Sequence, residues 1–307
     1  MMATAPFETI LNQGHFTVTA EIGPPKGSDV TRFLEKAHLL KGHADAFNVT
    51  DNQTAVVRLS SFAGCVLLKE QGLEPILQMS CRDRNRIALQ SDILGASALG
   101  IQSILFVTGD HQAMGNHPQS KGVFDVDSIQ LIHMAHALSH EGVFQNGEPL
   151  KNRKPDLFIG GVSNPFATPY WYRVERLENK IHAGAQFIQT QSVFNIDRFS
   201  MFMDEVCDRG LDKEVSILAG ITPIKSEKML NRMKYHVPGV DIPNEVFDRL
   251  IRASDFQHES ISLTMELIQD IRRLKGISGI HITALFWEDI IPHIVKEAGL
   301  YPRPTID

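Results

Sequence analysis

Short apolar segments rich in β-branched residues alternate along the chain with longer segments in which apolar residues recur at helical spacing. The short segments predict strands at residues 16–22, 46–49, 75–79, 103–107, 157–162, 187–190, 215–219 and 279–284. The longer segments predict helices at residues 29–41, 55–71, 84–99, 127–140, 171–183, 196–209, 225–235, 244–252, 259–275 and 288–298. The pattern therefore predicts eight strands, each followed by at least one helix.

This alternation, within a chain of 307 residues, favours an α/β fold in which eight parallel strands close into a (β/α)8 TIM barrel. Two consecutive helices, 244–252 and 259–275, are extra helices before the last strand. No linker rich in Pro, Gly or Ser divides the chain, so we expect residues 1–307 to form a single barrel domain. The alternative is an open, doubly wound sheet. Against it, the first strand is followed by Gly23-Pro24-Pro25-Lys26-Gly27 rather than by a dinucleotide-binding G-x-G-x-x-G turn.

Composition excludes several function classes. The formal net charge of −6 argues against a general nucleic-acid-binding protein, which usually has a basic face. No window contains the roughly 18 uninterrupted apolar residues that a membrane span needs. The first eleven residues do not resemble a signal peptide, so we expect a cytoplasmic protein.

The cysteines and histidines do not predict a metal site. Cys65, Cys81 and Cys207 are too few for a self-contained four-cysteine zinc or iron–sulfur site. The densest histidine cluster runs from residue 133 to residue 140, and on a helix its outer members would lie roughly 10 Å apart, too far to share one ion. We therefore expect no bound metal.

Polar residues follow almost every predicted strand. Together with two glycines, the residues at these strand ends are Glu21, Thr50, Asp51, Gln78, Ser80, Thr108, Gly109, Asp110, Ser163, Asn164, Gln189, Gln191 and Gly220. In a barrel, the carboxyl ends of all strands meet at one end, where active sites form. Burying this many amide and carboxyl groups is unfavourable unless a ligand or water satisfies them. The pattern therefore predicts a ligand site at this end of the barrel.

The strand-end segments also carry a family resemblance. In chain order they read TAEIGPP at 19–25, FNVTD at 47–51, QMSCRD at 78–83, VTGD at 107–110, NKxxAGA at 179–185 followed by QTQxxF at 189–194, and AGITPI at 219–224. These segments resemble, in the same order, the signature segments of the methylenetetrahydrofolate reductase family. Each segment alone is weak evidence for the family, but six segments in the same order are strong evidence. The resemblance covers nearly the whole chain.

The resemblance implies an FAD-dependent enzyme of one-carbon metabolism and methionine biosynthesis, which reduces 5,10-methylenetetrahydrofolate to 5-methyltetrahydrofolate. The residues implied to contact FAD are Thr50, Gln78, Ser80, Gly109, Asp110, Phe124, Asn164 and Lys180. Glu21 is implied to be the general acid that protonates N10 of the folate. Asp110 is implied to act in catalysis and to contact the folate, and Gln191 to bind the pterin.

The chain departs from the family pattern at two positions. Glu227 stands where well-known bacterial members have a phenylalanine, and Trp287 stands where many members have an arginine. These departures leave the electron donor open between NADH, NADPH and a partner subunit. The family commonly forms homo-oligomers, which we also expect here.

Three other functions compete with this one. A different kind of flavin-dependent barrel oxidoreductase would share the fold but need a different substrate site. A folate- or flavin-binding subunit without chemistry, serving a larger reductase, would have little use for Glu21 and Asp110. A metal-dependent barrel lyase would need a cluster of ligands, whereas the strand ends offer only Glu21, Asp51 and Asp110.

Overall fold

The computed structural model describes residues 6–305, and its centre is a closed barrel of eight parallel strands that pair in chain order. The strands are β1 (Thr17–Ile22), β2 (Ala46–Val49), β3 (Pro75–Ser80), β4 (Ser103–Val107), β5 (Phe158–Ser163), β6 (Phe187–Ser192), β7 (Ser216–Ile221) and β8 (Ile277–Ile282). Closure occurs where β8 pairs with β1. This architecture confirms the predicted (β/α)8 TIM barrel, and every predicted strand overlaps an observed one.

Helices fill the connections between the strands. They are α1 (Pro6–Asn12), α2 (Thr31–Leu40), α3 (Ser61–Glu70), α4 (Arg86–Ala98), α5 (Ser128–His136), α6 (Arg173–His182), α7 (Ile196–Asp208), α8 (Glu227–His236), α9 (Asn244–Arg252), α10 (Phe256–Arg273) and α11 (Ile291–Glu297). The two extra helices predicted before the last strand are confirmed as α9 and α10. None of the helices within residues 6–305 has both the length and the apolar character needed to cross a membrane.

Helix α1 closes the amino-terminal end of the barrel and was not predicted. Its Phe7 is fully buried, with its ring edge against the rings of Phe158 and Phe187 at centroid distances of 5.4 and 5.1 Å. With seven residues, the helix is too short for a clear helical repeat in the sequence. A packed plug at this end leaves the carboxyl-terminal end as the open mouth of the barrel.

The predicted helix at 55–71 starts six residues later than expected, at Ser61. The preceding residues Asn52, Thr54 and Ala55 have positive φ angles of 46°, 57° and 55°. Such angles are unfavourable for residues with a side chain and end any regular helix. The segment instead forms a short 3₁₀ turn at the mouth of the barrel, and strained backbone of this kind is common at functional sites.

Candidate active site at the carboxyl-terminal end of the barrel

A cavity of about 680 Å³ opens at the carboxyl-terminal end of the strands, within the size range typical of ligand pockets. Seven of the ten residues predicted as site residues line it: Glu21, Gln78, Gly109, Asp110, Asn164, Lys180 and Gln191. These residues come from five of the eight strands or from the segments that follow them. The barrel therefore collects them, as the strand-end pattern predicted.

Three predicted cofactor residues do not line this cavity. Thr50 is buried, and its hydroxyl donates to Oε1 of Gln53 at 2.6 Å. Ser80 is also buried behind the cavity wall. Phe124 lies on the loop after β4, is 37% exposed, and donates its backbone N–H to the carbonyl of Cys81. Thr50 and Ser80 thus support the cavity wall from behind, and Phe124 lies outside the cavity.

Glu21 is the carboxyl group best suited to hold a proton. It lies on β1 with its side chain 18% exposed and facing the cavity. Burial raises the pKa of Glu21 to about 7, against a lowering effect from its hydrogen bond with Gln78, and the negative charge of Glu288 raises it further. Near neutral pH the group can therefore exist in both the acid and the carboxylate form.

A neutral histidine lies beside Glu21. His281 on β8 has Nε2 4.0 Å from Oε2 of Glu21. Burial lowers the pKa of His281 to about 4, so the contact is not an ion pair at neutral pH. The hydroxyls of Thr19 and Thr283 lie 2.9 and 3.3 Å from the two ring nitrogens. A cation here would lower the pKa of Glu21, whereas a neutral ring does not.

Below Glu21, a polar cluster fills the barrel interior. The amides of Asn48 and Gln189 exchange two hydrogen bonds, at 2.7 and 3.0 Å, and Gln189 also donates to Thr19. All three side chains are buried. Because the amides satisfy one another, this layer can lie beneath the cavity without a ligand. Gln189 therefore lines the floor of the cavity, and Gln191, two residues on, lines the cavity as well.

Cations lie on the opposite wall, on α6. Lys180 is 4% exposed and donates to the carbonyl of Val162. Burial and repulsion from Arg176 lower the pKa of Lys180 to about 8. Arg176, one helical turn before Lys180, is exposed and also lines the cavity. Two cations on one helix face are suited to an anionic ligand, particularly a phosphate.

Two arginines that follow β3 hold the end of this strand against the segments after β2 and β4. Asp51 accepts hydrogen bonds from the amide and hydroxyl of Ser80 and pairs with Arg84 at 2.8 Å. Arg82, 2% exposed, donates to the backbone carbonyl of Asp110 at 3.2 Å. The predicted carboxylate Asp51 is therefore a structural anchor. Asp110 is held in position through its backbone.

The side chain of Asp110 is held by the strained loop after β2. Its Oδ2 accepts the backbone N–H of Thr54 at 2.8 Å. Asp110 remains exposed to the cavity. Gly109 beside it has a φ of +89°, and a Cβ there would lie 3.1 Å from Cβ of Ser80. Only glycine adopts this conformation readily, so the backbone itself faces the cavity here.

Sequence reasoning missed several cavity residues, among them His281, Thr283, Arg82 and Arg176. His281 and Thr283 alternate along the predicted last strand, so the two-residue period of strands could have indicated that they share a face. Arg176 precedes Lys180 by four residues on a predicted helix, which could have placed it on the same face. Arg82 had no comparable signal.

The two departures from the family pattern lie outside the cavity. Trp287 is 7% exposed, and its backbone N–H donates to the carbonyl of Ala284 at the start of a 3₁₀ turn. Glu227 is exposed in the first turn of α8, where a negative charge is favourable. Both side chains thus have structural explanations. Within residues 6–305, no group of three or more His, Cys, Asp or Glu residues is arranged to hold a metal ion.

Comparisons with known proteins agree with this architecture. A relative from Pectobacterium carotovorum subsp. carotovorum, named 5,10-methylenetetrahydrofolate reductase, is 24% identical over 94% of this chain and 92% of its own length. A relative from Caenorhabditis elegans, named probable methylenetetrahydrofolate reductase (NADPH), is 24% identical over 96% of this chain. The chain spans only 44% of the length of that relative.

A solved structure with the same fold comes from Clostridium thermocellum. It is described as an uncharacterized protein that binds two copies of 5-methyl-5,6,7,8-tetrahydrofolic acid. It superimposes with a TM-score of 0.67 at 18% identity, over 95% of this chain and 98% of its own. The family model described as Methylenetetrahydrofolate reductase matches residues 6–299. Since this match covers nearly the whole chain, the protein belongs to the methylenetetrahydrofolate reductase family.

Proposed function

We propose that this protein is an FAD-dependent reductase that converts 5,10-methylenetetrahydrofolate to 5-methyltetrahydrofolate. Family membership and the names of the relatives support the substrate, as does the folate bound by the Clostridium thermocellum protein. The observation that carries the proposal is Glu21, whose carboxyl group faces the cavity with a pKa of about 7. A binding protein that catalyses no reaction gains nothing from such a carboxyl group, because burying it costs stability.

The residues around the cavity fit a flavin nucleotide. Lys180 and Arg176 offer two positive charges to its diphosphate. Gly109 allows a planar ring to approach the backbone without a Cβ in the way. Gln78 and Asn164 add amide donors and acceptors on either side. When bound in its reduced form, FAD would supply the hydride that the methylene carbon accepts.

Glu21 would act on the folate as a general acid. Opening the five-membered ring of 5,10-methylenetetrahydrofolate leaves an iminium at N5 and requires a proton on N10. A carboxyl group with a pKa near 7 is protonated in a large fraction of molecules at neutral pH and can donate this proton. The neutral ring of His281 beside it leaves that proton in place. General acid catalysis of this kind contributes on the order of 10²–10⁴-fold to the rate.

Asp110 and Gln191 would hold the pterin. The carboxylate of Asp110 can accept hydrogen bonds from pterin N–H groups, and its position is maintained by the N–H of Thr54. The amide of Gln191 provides one acceptor and two donors for the pterin edge, although its Oε1 already accepts from the N–H of Ser192 at 3.1 Å. Alignment of the folate by these groups is the contribution of the protein to the hydride step.

The proposal also includes the source of the electrons that reduce the flavin. NADH, NADPH or a partner subunit would reduce the flavin, and anaerobic mixing of the FAD-loaded protein with each nucleotide distinguishes them. We further propose that the protein acts in the cytoplasm. We also propose that it forms a homo-oligomer, whose mass sedimentation analysis would measure.

The test is anaerobic mixing of the FAD-reconstituted protein with 5-methyltetrahydrofolate, which runs the reaction in reverse. We expect the flavin absorbance to bleach. Glu21→Gln should slow the bleaching by about 10²–10⁴-fold. Glu74→Gln is the matched control, because burial also raises the pKa of Glu74 to about 7 although it lies at the opposite end of the barrel, just before β3. A protein that binds FAD without bleaching, or that binds no FAD, would refute the proposal.

A further inference from the structure

A chain of hydrogen bonds crosses the barrel interior beneath Glu21 and ends at the ring of His281. It runs from Asn48 on β2 to Gln189 on β6 and Thr19 on β1. These three side chains are at most 2% exposed, and His281 on β8 is 7% exposed. Thr19 and His281 are directly paired where the barrel closes. Because each hydrogen is donated in only one direction, this chain determines which ring nitrogen carries the hydrogen.

Gln189 sets the direction of the chain. Its Nε2 donates to Oδ1 of Asn48 at 3.0 Å and to Oγ1 of Thr19 at 3.1 Å, which uses both of its hydrogens. The hydroxyl of Thr19 therefore accepts from Gln189 and donates its own hydrogen to Nδ1 of His281, 2.9 Å away. Burial lowers the pKa of His281 to about 4, so the ring is neutral near pH 7. A neutral ring that accepts at Nδ1 carries its hydrogen on Nε2.

Nε2 of His281 faces the acid. It lies 4.0 Å from Oε2 of Glu21 and 3.3 Å from Oγ1 of Thr283. With its hydrogen in place, Nε2 has no lone pair with which to accept from a protonated Glu21. In the other tautomer, Nε2 would accept a hydrogen bond from that carboxyl group and hold its proton away from the cavity. The tautomer of His281 therefore decides whether the proton of Glu21 is free to leave.

The charged groups that share a smaller cavity with Glu21 lie outside this chain. The smaller cavity, of about 260 Å³, is also lined by Arg32, Lys36, Arg58 and Glu288. Glu288 raises the pKa of Glu21 and pairs with Lys36 at 2.6 Å. Replacing a member of the hydrogen-bond chain leaves these four groups in place. A resulting change in the pKa of Glu21 therefore reports on its contact with the imidazole ring.

We propose that Gln189 and Thr19 are positioning residues for the reaction, which hold His281 with its hydrogen on Nε2 so that the ring cannot accept the proton of Glu21. The proposal rests on the function proposed above. When Glu21 acts, its O–H bond breaks and an N–H bond forms at N10 of the folate, while the electron pair stays on the carboxylate. His281 neither gains nor loses a proton in this step.

The direct measurement is the tautomer of His281 in the FAD-loaded protein. With isotope-labelled histidine nitrogens, proton–nitrogen correlation NMR distinguishes the ring nitrogen that carries a hydrogen from the one that does not. The signals lost in His281→Gln identify this ring among the 13 histidines. We expect the hydrogen on Nε2 in the wild type and in Thr19→Ser, which keeps the hydroxyl. Thr19→Val removes the hydroxyl and should leave a mixture of both tautomers.

Gln189→Glu should reverse the chain. The introduced carboxylate has no hydrogen to donate, so the hydroxyl of Thr19 donates to it, and His281 donates to Thr19 from Nδ1. Nε2 then accepts from protonated Glu21, and the added negative charge also favours the protonated form. In flavin bleaching by 5-methyltetrahydrofolate, where Glu21 accepts the proton, the midpoint of the pH profile should rise by about one unit. Thr19→Val, which adds no charge, should raise it by about half a unit, and Thr19→Ser should leave it unchanged.

The wild-type spectrum decides the matter even if a variant fails to fold, because a hydrogen on Nδ1 of His281 would overturn the proposal directly. A tautomer that changes in Thr19→Val and Gln189→Glu without any shift of the bleaching midpoint would also overturn it, since the ring would then not affect the acid. If the tautomers are as expected but the flavin does not bleach in the wild type, the hydrogen-bond chain stands and the reductase function is wrong.

Discussion

Replacing Glu21 by Gln should change how the stability of the protein depends on pH. Burial raises the pKa of Glu21 from 4.5 to about 7 in the folded protein. Between these values the folded state keeps a proton that the unfolded state releases, so the free energy of unfolding falls as pH rises. At about 1.4 kcal/mol for each tenfold change in an equilibrium constant, the loss totals about 3 kcal/mol. Glutamine has no proton to lose, so the variant should escape this loss.

The assay is urea-induced unfolding of the protein without FAD, at several pH values between 5 and 8. Omitting FAD removes the contribution of ligand binding to stability. We expect the stability of Glu21→Gln relative to the wild type to increase by about 3 kcal/mol as pH rises through this window. Glu74→Gln is the control, because burial also raises the pKa of Glu74 to about 7. It should change the pH dependence similarly while leaving flavin bleaching intact.

A difference in unfolding free energy between Glu21→Gln and the wild type that stays constant from pH 5 to pH 8 would refute this reasoning. It would mean that Glu21 has an ordinary pKa and is ionised throughout. The carboxyl group would then not be an acid near neutral pH, and the catalytic role proposed for it would lose its physical basis.

Four further predictions concern the pH dependence of the reaction and three other parts of the molecule. The rate of flavin bleaching by 5-methyltetrahydrofolate should rise with pH through about 7, because in this direction Glu21 must accept a proton; rapid-mixing spectroscopy measures it. Lys180→Met should weaken FAD binding by about tenfold or more, measured by flavin fluorescence, through loss of a buried cation facing the diphosphate. Gly109→Ala should destabilise the protein by about 1–2 kcal/mol in urea unfolding, because φ is +89° there. Asp45→Asn should cost about 3–5 kcal/mol in the same assay, because Asp45 pairs with Arg303 at 2.6 Å and their side chains are only 1% and 7% exposed.

Each of these has a contradicting result. A bleaching rate that is flat or falls across pH 7 would exclude Glu21 as the group that accepts the proton. Wild-type FAD affinity in Lys180→Met would remove Lys180 from the flavin site. Unchanged stability in Gly109→Ala or Asp45→Asn would show that the strained turn or the buried pair contributes little.

The sequence by itself determined the fold class and the position of the acid. A strand shows in the sequence through the pattern of apolar residues close together in the chain. Eight such segments, alternating with helical ones, were therefore enough to predict the barrel. The end of each strand was visible where polar residues begin, which placed Glu21, Gln78, Asp110 and Gln191 at one end of it. Helix α1 was not predicted because its seven residues are held mainly by tertiary contacts of Phe7 with the amino-terminal end of the barrel.

Only the tertiary structure decided the chemical state of the site. The pKa of Glu21 depends on burial by residues distant in sequence, and His281 reaches Thr19 across 262 positions of the chain. A smaller cavity beside Glu21 likewise combines Arg32 and Arg58 with the loop after β8. Local patterns carry information about the backbone of each segment. Solvation and charge depend on what surrounds a group in space, which exists only once the barrel has closed.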